Sequence, residues 1–170
     1  MIETERLVLR PYELADFEAY RAIVSDPYVM RFIGGAPLTA EDAWSRILRY
    51  AGHWQLLNFG VFAVRDKASG ELIGETGLFD YRRGLGEDFD HFPEIGWIFR
   101  TDIQGRGYAY EAVQAAHGWL DANRGQARTV CMIDPENTPS MRLAAKLGYA
   151  PFGQRRYKDH DVIVLERLPD

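Results

Sequence analysis

The chain has 170 residues and a mass of 19.4 kDa, which is the size of one domain with a sizeable hydrophobic core. Its content of 46% hydrophobic and 26% charged residues is typical of a soluble globular protein, and no apolar run reaches the roughly 18 to 20 residues of a membrane span. The net charge of −5 argues against a general nucleic-acid-binding surface and is compatible with a cationic substrate such as an amine.

The first residues mix acidic, basic and apolar side chains and lack the pattern of a secretory leader, so we expect a cytoplasmic protein. The only cysteine, Cys131, excludes an internal disulfide and is expected to be a buried strand thiol rather than a reactive nucleophile. No repeat, low-complexity tract or linker interrupts the sequence, which predicts a single domain over residues 1–170.

The N-terminal segment predicts a strand and then a helix. Polar and apolar residues alternate from Arg6 to Arg10, a strand pattern that Pro11 ends. The helix that follows runs as far as Asp26-Pro27, where the proline breaks it. Its apolar residues at helical spacing are Leu14, Phe17, Tyr20 or Arg21, and Val24.

A second helix is predicted to begin at Thr39, because Thr39-x-x-Asp42 resembles a capping box. Its predicted apolar stripe consists of Trp44, Ile47, Leu48 and Ala51. The segment from Tyr28 to Pro37, between the two helices, is irregular and aromatic.

Two strands follow, from Val61 to Arg65 and from Glu71 to Phe79, and the turn residues between them predict an antiparallel hairpin. The next segment, from Arg82 to Phe92, is rich in glycine and acidic residues, and we expect a solvated loop. Its carboxylates lie near His91, but their spacing matches neither a zinc site nor a calcium loop, so no metal is predicted.

The stretch from Gln104 to Ala109 lies between an apolar strand, Glu94 to Arg100, and a helix, Tyr108 to Asn123. Its two glycines allow a ligand to approach the backbone, and the helix presents unpaired N–H groups and a positive dipole end. This combination suits an anion such as a phosphorylated cofactor, although it is also common in simple tight turns. Neither a Walker loop nor a dinucleotide fingerprint is present. The apolar stripe of the helix consists of Ala109, Ala112, Val113, Ala116 and Leu120.

A strand from Arg128 to Ile133 follows that helix. Because a helix connects it to the strand that begins at Glu94, the two strands should run parallel through a right-handed crossover. This predicts a mixed sheet.

Asn137 or Thr138 is predicted to cap a last helix that stops at Gly148. Its inward residues are predicted to be Met141, Ala144, Ala145 and Leu147. Pro151 to Tyr157 and Asp161 to Arg167 then form a final hairpin.

Three stretches resemble the GNAT N-acetyltransferase family. Gln104-x-x-Gly107-x-Ala109, after the strand that begins at Glu94, is similar to the acetyl-CoA signature of that family. The start of the chain, Glu3 to Pro11, and the segment from Asn137 to Tyr149 carry the same resemblance. More narrowly, the sequence is similar to the branch of ribosomal-protein N-terminal acetyltransferases, and the resemblance spans nearly the whole chain.

The resemblance implies an α/β fold with a mixed, mostly antiparallel sheet, one parallel and splayed strand pair, and about four flanking helices. It also implies an acetyl-CoA-dependent enzyme that transfers an acetyl group to a primary amine by direct attack and releases coenzyme A. The amine would belong to a small molecule or to a peptide or protein N-terminus.

For the cofactor, the resemblance implies that backbone groups of Ile98, Phe99 and Arg100 pair with the pantetheine arm, with an N–H near Ile98 polarising the thioester. The pyrophosphate would bind the N–H groups of the glycine loop. The loop residues so implied are Gln104, Gly105, Arg106, Gly107, Tyr108 and Ala109.

In the last helix, Asn137 and Ser140 resemble the positions that touch pantetheine and protonate the departing sulfur, and Lys146 could reach the ribose phosphate. Ordinary helix capping would also explain Asn137 and Ser140. A lysine in the last turn, likewise, suits the helix dipole without any ligand.

For the chemistry, Glu94 is the predicted general base, and Asp80, Tyr81 or water are alternatives. Tyr149 is a candidate acid, with a core role equally open. Predicted acceptor contacts are Tyr28, Arg31, Phe32, Asp80 and Tyr81, for which ordinary packing is the simpler alternative.

The segment Phe99-Arg100-Thr101-Asp102 departs from the pattern because it lacks the proline common in this branch, which leaves the acceptor open. A non-catalytic acyl-CoA-binding module of the same fold is the alternative function. The retained glycine loop and the pair Asn137 and Ser140 favour the enzyme. A doubly wound nucleotide-binding domain does not fit the early hairpin. We expect a monomer or homodimer that binds neither nucleic acid nor membrane.

Overall fold

The computed structural model describes residues 1–125 and 127–169, and the strands within them form one eight-stranded sheet in the order β1-β2-β3-β4-β5-β6-β8-β7. These strands are Ile2–Glu3 (β1), Leu7–Pro11 (β2), Val61–Asp66 (β3), Leu72–Phe79 (β4), Glu94–Phe99 (β5), Thr129–Ile133 (β6), Ala150–Tyr157 (β7) and His160–Arg167 (β8). The α-helices are Phe17–Val24 (α1), Pro27–Met30 (α2), Ala40–Leu57 (α3), Glu87–Asp90 (α4), Tyr108–Arg124 (α5) and Thr138–Lys146 (α6). Helices α1, α3, α5 and α6 are longer than one turn, which agrees with the four expected.

All neighbouring strands run antiparallel except β5 and β6, which are parallel and confirm the mixed sheet. These two strands pair at a single register position, Glu94 opposite Val130. On its other side β5 pairs with β4 over its whole length. Beyond Glu94, therefore, β5 and β6 separate and leave a gap in the middle of the sheet.

The two faces of the sheet are covered by different helices, because alternate residues of a strand point to opposite faces. On one face, Ile98 and Phe79 belong to a core with buried residues of α1, α2 and α3. On the other face, Phe99 packs with buried residues of α5, including Ala112 and Ala116. The gap thus has the first three helices on one side and α5 on the other.

The capping predictions for α3 and α6 are confirmed. The Thr39 hydroxyl accepts the Asp42 N–H at 3.1 Å, and the Asn137 side chain accepts the Ser140 N–H at 3.2 Å. Gly148, with φ of 87°, follows the end of α6 as predicted. These helix ends could be predicted from the sequence because each of the residues satisfies or ends the unpaired backbone groups of a helix terminus.

Some predicted stripes are wrong in detail. Leu14, Trp44 and Leu48 are exposed, as are Ala51 and Ala145, although all five were placed on inward faces. In α3 the inward face instead carries Tyr50 and His53 beside Ala43 and Ile47. These two side chains are amphipathic, and both are buried because their polar atoms find partners. Tyr50 donates to Glu75, and the two ring nitrogens of His53 lie 2.8 and 3.1 Å from backbone carbonyls, to one of which a neutral ring donates.

The acidic segment after β4 is not simply a solvated loop, which corrects that expectation. It contains α4, and Leu85 and Phe89 are buried against Val130 of β6 and Val164 of β8. Arg155 of β7 also binds the Leu85 carbonyl and the Asp88 carboxylate. This segment, residues 82–92, is therefore fixed against the sheet. No helix within the described residues is long and apolar enough to cross a membrane.

Candidate active site

A cleft of about 390 Å³ opens where β5 and β6 separate. Its walls come from four segments of the chain, at residues within 29–33, 97–99, 103–110 and 137–143. The structure thus brings the end of β5, the glycine loop and the start of α6 together, as the sequence predicted. The segment after α1, which was predicted to contact the acceptor, forms the fourth wall.

Backbone groups of Trp97 and Phe99 point from β5 into the gap, which corrects the prediction made for Ile98 and Arg100. The Arg100 N–H donates to the Ile73 carbonyl of β4 at 3.0 Å. Backbone groups alternate in direction along a strand, so Ile98 also turns its groups toward β4. Ile98 still lines the cleft with its side chain, whereas Arg100 does not.

The Arg100 side chain forms ion pairs outside the cleft. Its guanidinium binds the Asp102 carboxylate with two N–H groups, at 3.0 and 2.6 Å, and the Glu71 carboxylate at 2.8 Å. These ion pairs lie outside the cleft and fix the connection between β5 and the glycine loop. Arg100 is therefore better described as a structural residue at this junction.

The glycine loop has the backbone shape that its glycines allow. Gly105 and Gly107 have φ angles of 76° and 82°, in the left-handed region that residues with a side chain rarely occupy. Gly107 is the residue before α5, and no side chain caps the helix there. The first N–H groups of α5 consequently remain available to a ligand, and they carry the positive end of the helix dipole.

The N-terminal strand segment holds this loop in place. Arg6 donates to the Arg106 carbonyl at 2.9 Å and to the Glu111 carboxylate of α5 at 2.6 Å. Glu111 also accepts the Thr4 hydroxyl at 2.5 Å and the Arg6 backbone N–H at 3.0 Å. The conformation of the loop thus depends on residues about one hundred positions earlier in the sequence.

Ser140 and Asn137 both line the cleft at the start of α6. The Asn137 side chain accepts the Ser140 backbone N–H, so Asn137 is a helix cap whatever else it does. The Ser140 hydroxyl accepts the indole N–H of Trp97 at 3.2 Å. This bond orients the hydroxyl across the cleft from β5 and leaves its own proton free for another partner.

The cations predicted around the cofactor lie at the edge of the cleft. Lys146 is exposed, and its ammonium lies 4.0 Å from the ring centre of Tyr110, a cleft residue. Arg106 is also exposed, with its guanidinium 5.4 Å from the ring centre of Tyr108. Arg142, one turn before Lys146 on α6, lines the cleft directly and was not predicted.

The segment after α1 places two of its predicted acceptor residues on the cleft, Arg31 and Phe32, whereas Tyr28 is half exposed outside it. The Arg31 guanidinium lies 3.5 Å from the Tyr28 ring centre and 4.7 Å from that of Phe32. It also donates to the Tyr28 carbonyl. Arg31 is thereby held at the mouth of the cleft.

Glu94, Asp80 and Tyr81 lie together around a second, much smaller cavity of about 10 Å³. Glu94 is 5% exposed and accepts two hydrogen bonds from Arg83, at 2.5 and 2.9 Å. Asp80 pairs with Arg82 at 3.0 Å. Burial raises the pKa of Tyr81 to about 12, so this phenol is protonated at neutral pH and is not a base there.

Tyr149 is a core residue, which corrects its assignment as a candidate acid. It is 4% exposed, and its hydroxyl bonds Thr129 at 2.5 Å and the His117 ring at 3.1 Å. The burial that raises the pKa of Tyr149 comes from the packing of α5, α6 and β6. A hydroxyl enclosed in this way does not reach the cleft.

Sequence reasoning missed several cleft residues. These are Val29, Ile33, Trp97, Ile103, Tyr110, Pro139, Arg142 and Leu143. Strand alternation could have identified Trp97, since it points to the face opposite Ile98, toward α6. Most of the others lie in helices, Val29 in α2, Tyr110 in α5, and Pro139, Arg142 and Leu143 in α6, and they line the cleft because of how these helices pack around the gap.

Comparisons with known proteins agree with this architecture. The family model for the acetyltransferase (GNAT) domain matches residues 6–150. An N-acetyltransferase of Bacillus subtilis strain 168, the uncharacterized YnaD, is 35% identical over 149 residues, which cover 86% of this chain and 81% of YnaD. The chain therefore belongs to the GNAT family of acetyltransferases and is an acetyl-CoA-dependent acyltransferase.

Solved structures extend the similarity to three dimensions. One from Bordetella pertussis, assigned to the GnaT-family acetyltransferases, is 36% identical with a TM-score of 0.88 over 98% of both chains. A ribosomal-protein-S5-alanine acetyltransferase from Vibrio fischeri has a TM-score of 0.72 over 99% of this chain and 96% of its own. At 19% identity the second comparison reports the fold alone.

Proposed function

We propose that the cleft binds acetyl-CoA and that the protein transfers the acetyl group to a primary amine. The observation that carries this proposal is the convergence of three groups of hydrogen-bonding partners on one cavity. These are the unpaired backbone of Trp97 and Phe99, the uncapped start of α5 and the Ser140 hydroxyl. When bound, acetyl-CoA supplies the thioester whose acetyl group the amine takes.

The residues around the gap would divide the binding between them. Gly105, Gly107, Tyr108 and Ala109 line the cleft at the start of α5, where free N–H groups would bind the phosphate oxygens. The Trp97 and Phe99 backbone would pair with the amide-bearing arm of the cofactor as a neighbouring strand does. One of their N–H groups would then polarise the thioester carbonyl.

Two proton transfers accompany the reaction. The amine must lose a proton before its lone pair can attack, and we assign that proton to Glu94. The C–S bond then breaks, and the departing thiolate needs a proton, which the Ser140 hydroxyl can donate before solvent restores it. Both residues would thus move protons, while the backbone stabilises charge.

Glu94 can serve only through an intermediary, because it does not line the cleft. Glu94 and Ile98 lie on the same face of β5, separated by about 13 Å at the usual rise per residue. The Phe79 ring packs over Gly96 between them. A chain of several water molecules would have to carry the proton over this distance, and the small cavity beside Glu94 is close to the minimum volume for one of them.

The acceptor would enter past Arg31 and Phe32, opposite the cofactor. The acceptor on this side would be a small amine or a peptide N-terminus. The enzyme itself would be a monomer or a homodimer. A single domain over residues 1–170 and a cytoplasmic location stay predictions.

Binding and turnover can be tested separately. Acetyl-CoA is expected to raise the melting temperature, whereas NAD and ATP at the same concentration are not, because a ligand of the native state stabilises it. A screen of amines and N-terminal peptides for release of the CoA thiol would then identify the acceptor. Binding without turnover of any amine would instead support a non-catalytic acyl-CoA-binding module.

Ser140 and Asn137 are expected to affect different kinetic constants. Ser140→Ala should lower kcat with little change in the KM for acetyl-CoA, because a proton for the thiolate is needed mainly in the transition state. Asn137→Ala should raise that KM. If both variants changed both constants slightly and equally, helix capping, worth about 1 kcal/mol, would be their only role.

A further inference from the structure

We propose that Arg83 is a positioning residue that keeps the Glu94 carboxylate ionised and oriented, so that it can accept the proton of the acceptor amine. This inference rests on the proposed function, in which Glu94 is the base. It assigns a role to a residue outside the cleft, in the segment 82–92 that folds against the sheet. The contacts of Arg83 carry it.

Each nitrogen of the Arg83 guanidinium has a partner. Nε and Nη2 donate to the two oxygens of Glu94, at 2.5 and 2.9 Å, and Nη1 donates to the Tyr157 hydroxyl at 2.9 Å. The guanidinium also lies 4.9 Å from the Tyr81 ring centre and 5.0 Å from that of Tyr157. Both side chains are enclosed, at 12% exposure for Arg83 and 6% for Glu94.

In the resting state such an enclosed pair is most stable with both members charged, so Glu94 would hold the proton of the amine only briefly before passing it to water. An arginine does not lose its proton in a protein, so a neutral Glu94 would leave a buried cation without a counterion, which is costly. The two parallel hydrogen bonds also fix the plane of the carboxylate. Arg83 therefore determines the ionisation state of Glu94 as well as its orientation.

The other groups near Glu94 would have the opposite effect. Burial raises the pKa of Glu94, Arg83 lowers it, and Asp90 and Asp80 raise it further. The buried Cys131 thiol of β6 also interacts with Glu94, and its own pKa is raised by burial. Among the described groups that act on this carboxylate, Arg83 is the cation that opposes protonation.

The segment that carries Arg83 is anchored independently of this ion pair. Leu85 and Phe89 are buried, and Arg155 of β7 holds the Leu85 carbonyl and Asp88. A change at position 83 should therefore leave the segment in place. Arg82 offers a matched control, because it is the neighbouring arginine, pairs with Asp80, and is mostly exposed.

The experiment is a titration of Glu94 by carboxyl ¹³C NMR, with the signal assigned by its loss in Glu94→Gln. In the wild type we expect Glu94 to be ionised at pH 7. In Arg83→Met its midpoint should rise by about 1 to 3 pH units, as expected when an adjacent opposite charge is removed. Arg82→Met should raise the midpoint much less than Arg83→Met does, because it acts on Glu94 only through Asp80, the smallest of the contributions to this pKa. Arg83→Lys should give an intermediate value.

The kinetic counterpart uses one amine for all variants. The acidic limb of the pH profile of kcat/KM should move upward in Arg83→Met by the same amount as the NMR midpoint. A Glu94 that is protonated at pH 7 in the wild type would overturn the proposal even if Arg83→Met failed to fold. An unchanged midpoint in folded Arg83→Met would also overturn it. Failure of the proposed function is distinguishable, since the NMR titration needs no turnover.

Discussion

Replacing Glu94 by glutamine is expected to lower kcat/KM near neutral pH by about 100-fold, the lower range for loss of a general base. At neutral pH a primary amine is mostly protonated, so the reaction needs a group that removes the proton. As the pH approaches the pKa of the amine, the free amine becomes abundant and the variant should recover part of its rate. A pH profile of kcat/KM for wild type and variant measures both effects.

Stability must be followed in the same samples, because Glu94→Gln leaves Arg83 buried without its counterion. Loss of one partner of a buried ion pair commonly costs about 3–5 kcal/mol of folding free energy. Glu94→Asp is the matched control, since it keeps a carboxylate for Arg83 and should retain more activity at neutral pH. If Glu94→Gln and wild type had parallel profiles with nearly equal rates, water or Asp80 would be the base and Glu94 a structural residue.

Elements with a local signal were predictable from the sequence. Thr39, Asn137 and Gly148 mark helix ends because their chemistry satisfies nearby backbone groups, and the structure has these ends as predicted. The parallel arrangement of β5 and β6 followed from the helix between them, since a crossover connection joins parallel strands. The gap between them was implied by the family resemblance rather than by this connection, and the structure contains it.

Long-range pairing was not predictable in the same way. Nothing near Glu94 in the sequence indicates that Arg83 will bind it with two hydrogen bonds, because the turn of the intervening segment brings them together. Likewise, the contact of Arg6 with the Arg106 carbonyl joins distant parts of the chain. Tyr149 was ambiguous because an aromatic residue after a helix suits either a core or a site. Only the packing of His117 and Thr129 around its hydroxyl decides between them.

The direction of backbone groups in β5 was a different kind of error. The sequence analysis described β5 only as an apolar strand, and the choice of which N–H groups face β4 depends on the register of that pair. A shift of one residue in the pairing of β4 and β5 would turn the opposite set of N–H groups toward β4. The bond from Arg100 to Ile73 fixes that register and assigns Trp97 and Phe99 to the gap.

The glycine loop gives the second large expected effect. Gly105→Ala should raise the Kd for acetyl-CoA by about tenfold or more, because a side chain in this conformation is strained and the loop must shift its N–H groups. Charge-assisted hydrogen bonds to phosphate are worth about 1.5–3 kcal/mol each, so the loss of one suffices. Calorimetric titration with acetyl-CoA and with CoA would measure the change.

Gly70→Ala is the matched control for this variant. Gly70 has φ of 72°, close to the 76° of Gly105, and an added methyl group meets no atom within 4 Å at either position. It lies in the turn between β3 and β4, outside the cleft. Both variants should therefore lose about 1 kcal/mol of stability from backbone strain, and only Gly105→Ala should lose affinity.

A substitution at Gly107 is a less specific test of phosphate binding by the glycine loop. An added methyl group at Gly107 would lie 3.4 Å from the Arg6 guanidinium, and a β-branched valine is poorly suited to its φ of 82°. A loss of binding in Gly107→Val could thus come from displacement of Arg6. If Gly105→Ala bound acetyl-CoA as tightly as Gly70→Ala does, the loop would be only a tight turn. The phosphates would then have to depend on α6, where Arg142 lines the cleft.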